Sequence, residues 1–203
     1  MQLQSEIFNM PSPFDKATEK IDAAHALDPT KVTVDGVELP YELHYAQKMT
    51  FYLNKRLPNA SDALRLAVRA QHFRRWESPR NSYPMTRTGY LTWRAKLKAL
   101  QAQQVKAIAE ESGYNSTESE RIAALIRKEN LQDDQETQAL EDVACLVFLD
   151  DQFEEFEKNH DEEKIINILR KTWGKMSETG RDMALKMKME GRPAELMKMA
   201  LAP

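Results

Sequence analysis

The chain has 203 residues, a formal net charge of −3, and 41% apolar against 30% charged residues. That apolar share excludes a disordered chain, six glycines exclude a Gly-rich repeat, and one cysteine excludes an internal disulfide. The near-balanced charge argues against a protein that coats nucleic acid over its whole surface.

Residues 1–13 contain Glu6 and two prolines and no apolar stretch of the kind a leader uses. The longest uninterrupted apolar run, residues 143–149, falls far short of the ~20 residues that span a bilayer. With the lone thiol, this predicts a cytoplasmic protein in a reducing compartment, or the mature form of an organellar one, with no membrane partner.

The pattern is helical almost throughout. Ser12-Pro13 starts a first helix over residues 14–26, with Ser as cap and Pro at the first helical position. Asp28-Pro29 ends it. Around Asp35-Gly36 the chain forms either a tiny hairpin or an ordered loop, and the loop is favoured because no other strand exists to pair with. Pro40 opens a second helix, to Leu57. Ser61 caps a third, to Trp76, and residues 77–87 are a loop. A fourth helix covers 90–112 and stops at Gly113. Thr117-Glu118-Ser119-Glu120 fits a capping box for a fifth, to Lys128. A sixth runs over 134–159, a seventh over 161–175, and Ser177 caps an eighth. Gly191 and Pro193 mark a break before a short C-terminal turn. The expected architecture is all-α: one domain over 1–203, a bundle of seven to eight helices, with an N-terminal arm (1–13) and a C-terminal extension (190–203).

Residues 143–149 are apolar around the whole helical circumference, which predicts a central helix surrounded by protein, with Cys145 an inert buried thiol. Charge is unevenly placed. Residues 65–98 hold nine Lys/Arg and one acid, Glu77, whereas residues 133–163 hold thirteen Asp/Glu and one lysine, Lys158. Such asymmetry speaks of internal pairing or of partners.

On the third helix, Ala63, Leu64, Leu66, Ala67, Val68 and Ala70 gather on one side, and Gln71 and Arg74 project from that same side with Arg75 at its border. An arginine on a packing face keeps its charge, so it needs a carboxylate such as Glu42 or Asp142, a bound anion, or a route to solvent. Arg80, Tyr83, Arg87, Tyr90, Trp93 and Arg94 then interleave cations with rings. Guanidinium forks suit phosphate or carboxylate, and rings stack on bases. The alternative is a loop tied by ion pairs to the acidic sixth helix.

His44, His72 and Asp142 fall on three helices, similar to part of the ligand set of helical metal phosphohydrolases, although Phe73 stands where that motif has an aspartate. A divalent metal there would polarise a phosphoryl oxygen. Asp142 shares a stripe with Cys145, Leu146 and Leu149, so it is expected to point inward and pair with Arg74 or Lys128. His25 and His160, at helix ends, are expected at the surface. Lys175-Met176-Ser177 is similar to the signature loop of class I aminoacyl-tRNA synthetases, but no His-x-Gly-His and no strand–helix alternation accompany it.

Several blocks together carry a family resemblance: Gln71-His72-Phe73-Arg74-Arg75-Trp76, Pro79-Arg80, Tyr83-Pro84-Met85, Gly89-Tyr90-Leu91, Trp93-Arg94, Arg127-Lys128, the stretch 140–149, and Arg170-Lys171-Thr172-Trp173. Over residues 14–185 the chain resembles a family of small proteins of fungi, algae and bacteria grouped as a domain of unknown function. The resemblance implies an all-helical fold similar to the HD superfamily and no established reaction. It also implies that the position of His44 is often not histidine, which moves weight to Glu42, His72, Arg74 and Asp142.

The expected function is a polar cleft between the second, third and sixth helices that holds a small anionic, phosphorylated ligand. If it is an enzyme, a hydrolase is the first class, with His72 as general base or metal ligand, Asp142 orienting it and Glu42 as a further catalytic residue. Gln71, Arg74, Arg75, Arg80, Arg87, Tyr90, Arg94 and Lys128 are the expected ligand-binding residues. The alternatives are an RNA- or nucleotide-binding module using segment 72–94, and a protein-interaction domain docking through the acidic helix.

Overall fold

Helices begin where the chain supplies its own caps. In the computed structural model, which describes residues 10–202, the Ser12 hydroxyl accepts the Asp15 amide while the Asp15 carboxylate takes the Ser12 amide, and α1 (Pro13–His25) follows. Residues 1–9 of the expected arm, and Pro203, lie outside the described residues. Asp28 then organises the next entry. Its carboxylate accepts the amides of Thr30 and Glu42, at 2.9 and 3.0 Å, and so holds the start of α2 (Tyr41–Arg56).

Between them the expected loop is instead a hairpin. Strands β1 (Lys31–Val34) and β2 (Val37–Pro40) pair antiparallel in register Lys31↔Pro40 to Val34↔Val37. Asp35 and Gly36 both take positive φ, 50° and 80°, the turn whose twist matches paired strands. A lone hairpin is marginal in water. Here the Tyr41 amide bonding to the Thr30 carbonyl and the Asp28 carboxylate close its base.

Ser61 caps α3 (Asp62–Arg69), which ends seven residues before Trp76. His72 and Arg74 are left-handed, at φ 63° and 49°, so Arg74 does not stand on a helical face. Tertiary bonds outweigh helix propensity at this point. The Gln101 side chain donates to the Phe73 carbonyl (3.0 Å), the Trp76 amide donates to Glu42 (3.1 Å), and Phe73 is buried. Two short 3-10 turns, Arg75–Glu77 and Arg80–Ser82, lead to the long helix α4 (Arg87–Ser112), capped by Thr86 and closed by left-handed Gly113. The box that starts α5 (Ser116–Arg127) uses Asn115 and Glu118, two residues earlier than the Thr117 box.

Asp134 caps α6 (Gln135–Val147), which runs through a π-helical segment, Phe148–Gln152, into α7 (Phe153–Lys158). Asp161 caps α8 (Glu162–Lys175) and Ser177 caps α9 (Glu178–Leu185). The expected C-terminal turn is a full helix, α10 (Gly191–Leu201), packed on α8.

The chain forms two compact units. Among the described residues, the first takes 10–47 and Ser61–Glu129, and the second takes Lys48–Ala60 and 130–202. In the first, α4 packs on α5 and α1, and α3 on α5, burying Ile21, Leu64, Val68, Phe73, Val105 and Ile122. In the second, α6 packs on α8 and α9. Val143, Leu146, Val147 and Leu149 are buried, whereas Ala144 and Phe148 are half-buried. Cys145 is buried with its Sγ 3.9 Å from the Thr172 carbonyl oxygen. No helix of the described residues is long and apolar enough to cross a membrane.

Candidate functional site

In the first unit the chain that leaves α3 meets the start of α4. The left-handed turn at His72 lays its ring flat on Tyr45, with centroids 4.2 Å apart and planes 11° apart. The Arg75 guanidinium donates to His72 Nε2 at 2.9 Å. A guanidinium has only donors, so Nε2 carries the lone pair, the proton sits on Nδ1, and the ring is neutral. Burial pushes its pKa well below the usual histidine value, and the positive charges of Arg75, Lys128, His25 and Arg94 push the same way.

The cations continue along a ladder of rings. Arg75 lies 5.0 Å over Trp93, whose indole N–H donates to the Ser78 carbonyl (2.8 Å). Trp93 and Tyr90 are 6.0 Å apart, and Tyr90 lies between Arg80 (5.9 Å) and Arg94 (5.7 Å). Arg94 also donates to the Tyr90 hydroxyl at 3.1 Å, and Lys96 lies 5.7 Å from the Tyr83 ring. Arg80 holds the loop itself, donating to the carbonyls of Tyr83, Pro84 and Thr86. Gly89 lets the loop close, because a Cβ there would run into the Pro84 carbonyl. Tyr90, 40% exposed, and the exposed Met85 and Leu91 put the outer end of the ladder in solvent.

Behind His72 lies a buried acid–imidazole pair. Glu42 receives the Trp76 amide on Oε1 and faces His25 Nδ1 with Oε2 at 3.4 Å. His25 Nε2 donates to the Arg69 carbonyl (3.0 Å) and its ring meets Phe73 edge-on. Arg69 in turn holds Asp22 with two bonds of 2.6 and 2.7 Å. His25 is 0% exposed, so the surface position expected for it is corrected. A helix end is at the surface only if nothing covers it, and here Glu42 and the Arg69 carbonyl give a buried ring its two polar partners.

The second unit holds Asp142, also 0% exposed. Its Oδ1 accepts from the Ser177 amide (2.8 Å) and Gln138 (3.0 Å), and its Oδ2 from Arg56 Nε (2.9 Å) and the Ser177 hydroxyl (2.5 Å). Each oxygen thus has two donors, and the acid fastens the start of α9 to α6 and to the last turn of α2. Its cationic partner is Arg56, where the sequence pointed to Arg74 or Lys128. Arg74 instead reaches Glu77 at 3.6 Å.

The family model described as Domain of unknown function (DUF4202) matches residues 15–197. The chain belongs to that family. No curated protein and no solved structure matches it.

Set on this DUF4202 chain, the expected residues divide. Arg75, Arg94 and Lys128 each act on His72, and Tyr90 and Arg80 join them through the ladder. Gln71 spends its amide on the Ala67 carbonyl at the end of α3, and Arg87 stands exposed on the first turn of α4. Among the described residues no three His, Cys, Asp or Glu side chains form a group that could hold a metal ion, which lends the set His44, His72 and Asp142 no support. His44 is buried on α2. Sequence reading missed His25 as Glu42's partner, Tyr45 as the platform for His72, and Arg56 as Asp142's counter-ion. The arginine in the last turn of α2 and the Ser177 cap were the available signals.

Proposed function

We propose that the first unit of this DUF4202 protein binds a small phosphorylated anion at the cationic cluster around His72. The observation that carries this reading is the Arg75 guanidinium donating to the neutral His72 ring, with Arg94 and Lys128 acting on the same ring. Like charges held together in a low-dielectric setting repel, and a multivalent anion relieves that repulsion. Arg87 adds to it. It sits on the first turn of α4, where the helix end already favours anions, and that turn has no acid. Arginine forks give a phosphate bidentate bonds, and His72 Nδ1–H is a further donor. Were the ligand turned over, as in a phosphohydrolase similar to the HD superfamily, His72 would be the base and Glu42 the acid behind it. Both Glu42 oxygens already have partners, which favours binding over catalysis.

The test is thermal unfolding with inorganic phosphate, nucleoside mono- and diphosphates and sugar phosphates. A ligand that binds only the folded state raises Tm. The rise should disappear in Arg75→Met and Arg94→Met. A screen in which none of these anions moves Tm would defeat the reading.

A second reading rests on the exposed Tyr90 ring with Arg80 and Arg94 close to it, a pairing of ring and cations suited to single-stranded RNA. It calls for affinity that falls with salt and is lost in Tyr90→Ala.

A further inference from the structure

The second unit holds a cavity of about 510 Å³ that the anion site does not use, a size within the range of small-molecule sites. Part of its wall is apolar. Tyr52 and Leu149 line it, 8% and 5% exposed, and the half-buried Met183, Met187 and Met189 lean against it from α9 and the segment that follows. Methionine is unbranched and polarisable, so such a wall adapts to a flexible apolar guest.

The rim has a different chemistry. Lys55, Lys186 and Lys188 all line the cavity from exposed positions. None of the three makes an ion pair among the described residues, and Lys55 rests 4.0 Å over the Phe51 ring. The one acid in the lining, Asp150, is already neutralised by Lys48 at 2.7 Å and accepts the Tyr52 hydroxyl. Burial, with Asp150 and Asp151, raises the Tyr52 phenol above its usual pKa, so the ring stays uncharged.

A second observation marks the same place. Asp150 lies in the π-helical segment Phe148–Gln152, and Leu149 beside it lines the cavity. A π-turn carries a cost in helix geometry and recurs at functional sites. Here it sets Asp150 against Lys48 and Tyr52 while Leu149 stays in the wall.

We propose that this cavity binds a small amphiphilic anion, an alkyl or prenyl-like chain ending in phosphate or carboxylate. The chain lies on the methionine wall and the Tyr52 ring, and the head meets Lys55, Lys186 and Lys188. A nucleotide fits less well, because the Tyr52 hydroxyl spends its only proton on Asp150 and the rest of the wall is methionine and leucine, which read no base edge.

The experiment uses the full chain and follows displacement of the dye anilinonaphthalene sulfonate. The competitors are octyl phosphate below its micelle concentration, octanoate, octyltrimethylammonium and inorganic phosphate. Octyl phosphate should displace the dye and raise Tm. Octanoate should do so too if carboxylate heads are accepted, and its failure narrows the class to phosphates. Octyltrimethylammonium and inorganic phosphate should not displace the dye. K186M/K188M alters only exposed side chains and should weaken octyl phosphate about tenfold. M187W should fill the cavity and abolish displacement, whereas R75M/R94M should leave it unchanged, which separates this site from the anion cluster. Displacement by the cationic amphiphile as effective as by octyl phosphate would overturn the proposal. So would full affinity in both K186M/K188M and M187W, or no effect of octyl phosphate on the wild type.

Discussion

Replacing Asp142 by asparagine tests whether this acid is a structural fastener or part of a reactive site. The carboxylate is fully buried and receives two donors on each oxygen, one from the Arg56 guanidinium. An amide of the same shape must turn its NH2 toward one of these donor pairs, and it leaves Arg56 without its counter-charge. Breaking a buried, hydrogen-bonded ion pair from one side costs about 3–5 kcal/mol. The seat is also tight, because a Cβ on Gly180 would stand 2.7 Å from Asp142 Cγ, so the site has no room to readjust. With a urea m-value of roughly 2 kcal/mol/M, the midpoint should fall by about 1.5–2.5 M. Arg56→Met should cost less, since the carboxylate keeps three donors. Urea denaturation followed by circular dichroism reads both. Asp142→Asn within about 1 kcal/mol of the wild type would refute the fastener, for a structural acid this enclosed has no cheap substitute.

Two further outcomes follow from the first unit. The unfolded chain protonates histidine near pH ~6.5, whereas burial holds native His72 well below that value. The unfolded state therefore takes up the proton first. Stability is full above about pH 6.5 and falls below it by up to about 1.4 kcal/mol per unit until the native ring also protonates. His72→Asn, which tolerates the left-handed backbone, should flatten that slope in urea titrations at about pH 7.5 and about pH 5. An unchanged slope would contradict a ring held neutral in the native state. Gly89→Ala must push the Pro84 carbonyl away and disturb the loop that Arg80 grips. It should cost about 1–3 kcal/mol and weaken phosphate binding, and an unaltered Tm would show that the loop is not closed at this point.

What the sequence by itself determined is local. The caps at Ser12, Ser61 and Ser177 and the stop at Gly113 all work through bonds to residues one turn away, so their chemistry is written in neighbouring letters. The burial of Val143, Cys145, Leu146, Val147 and Leu149 was equally legible, because a helix apolar on every side packs most of its circumference, and only Ala144 and Phe148 stay half-buried. The tertiary structure decided whatever depends on a distant partner. Residues 70–76 read as a continuation of α3, yet Gln101 and Glu42 claim the Phe73 carbonyl and the Trp76 amide, and the chain turns left-handed twice. That turn carries His72 and Arg74 off the helical stripe on which their spacing had placed them. The partner of Asp142 was hidden for the same reason. A buried charge announces that it needs a counter-ion, but only the packed chain chooses Arg56 from among the arginines that could serve.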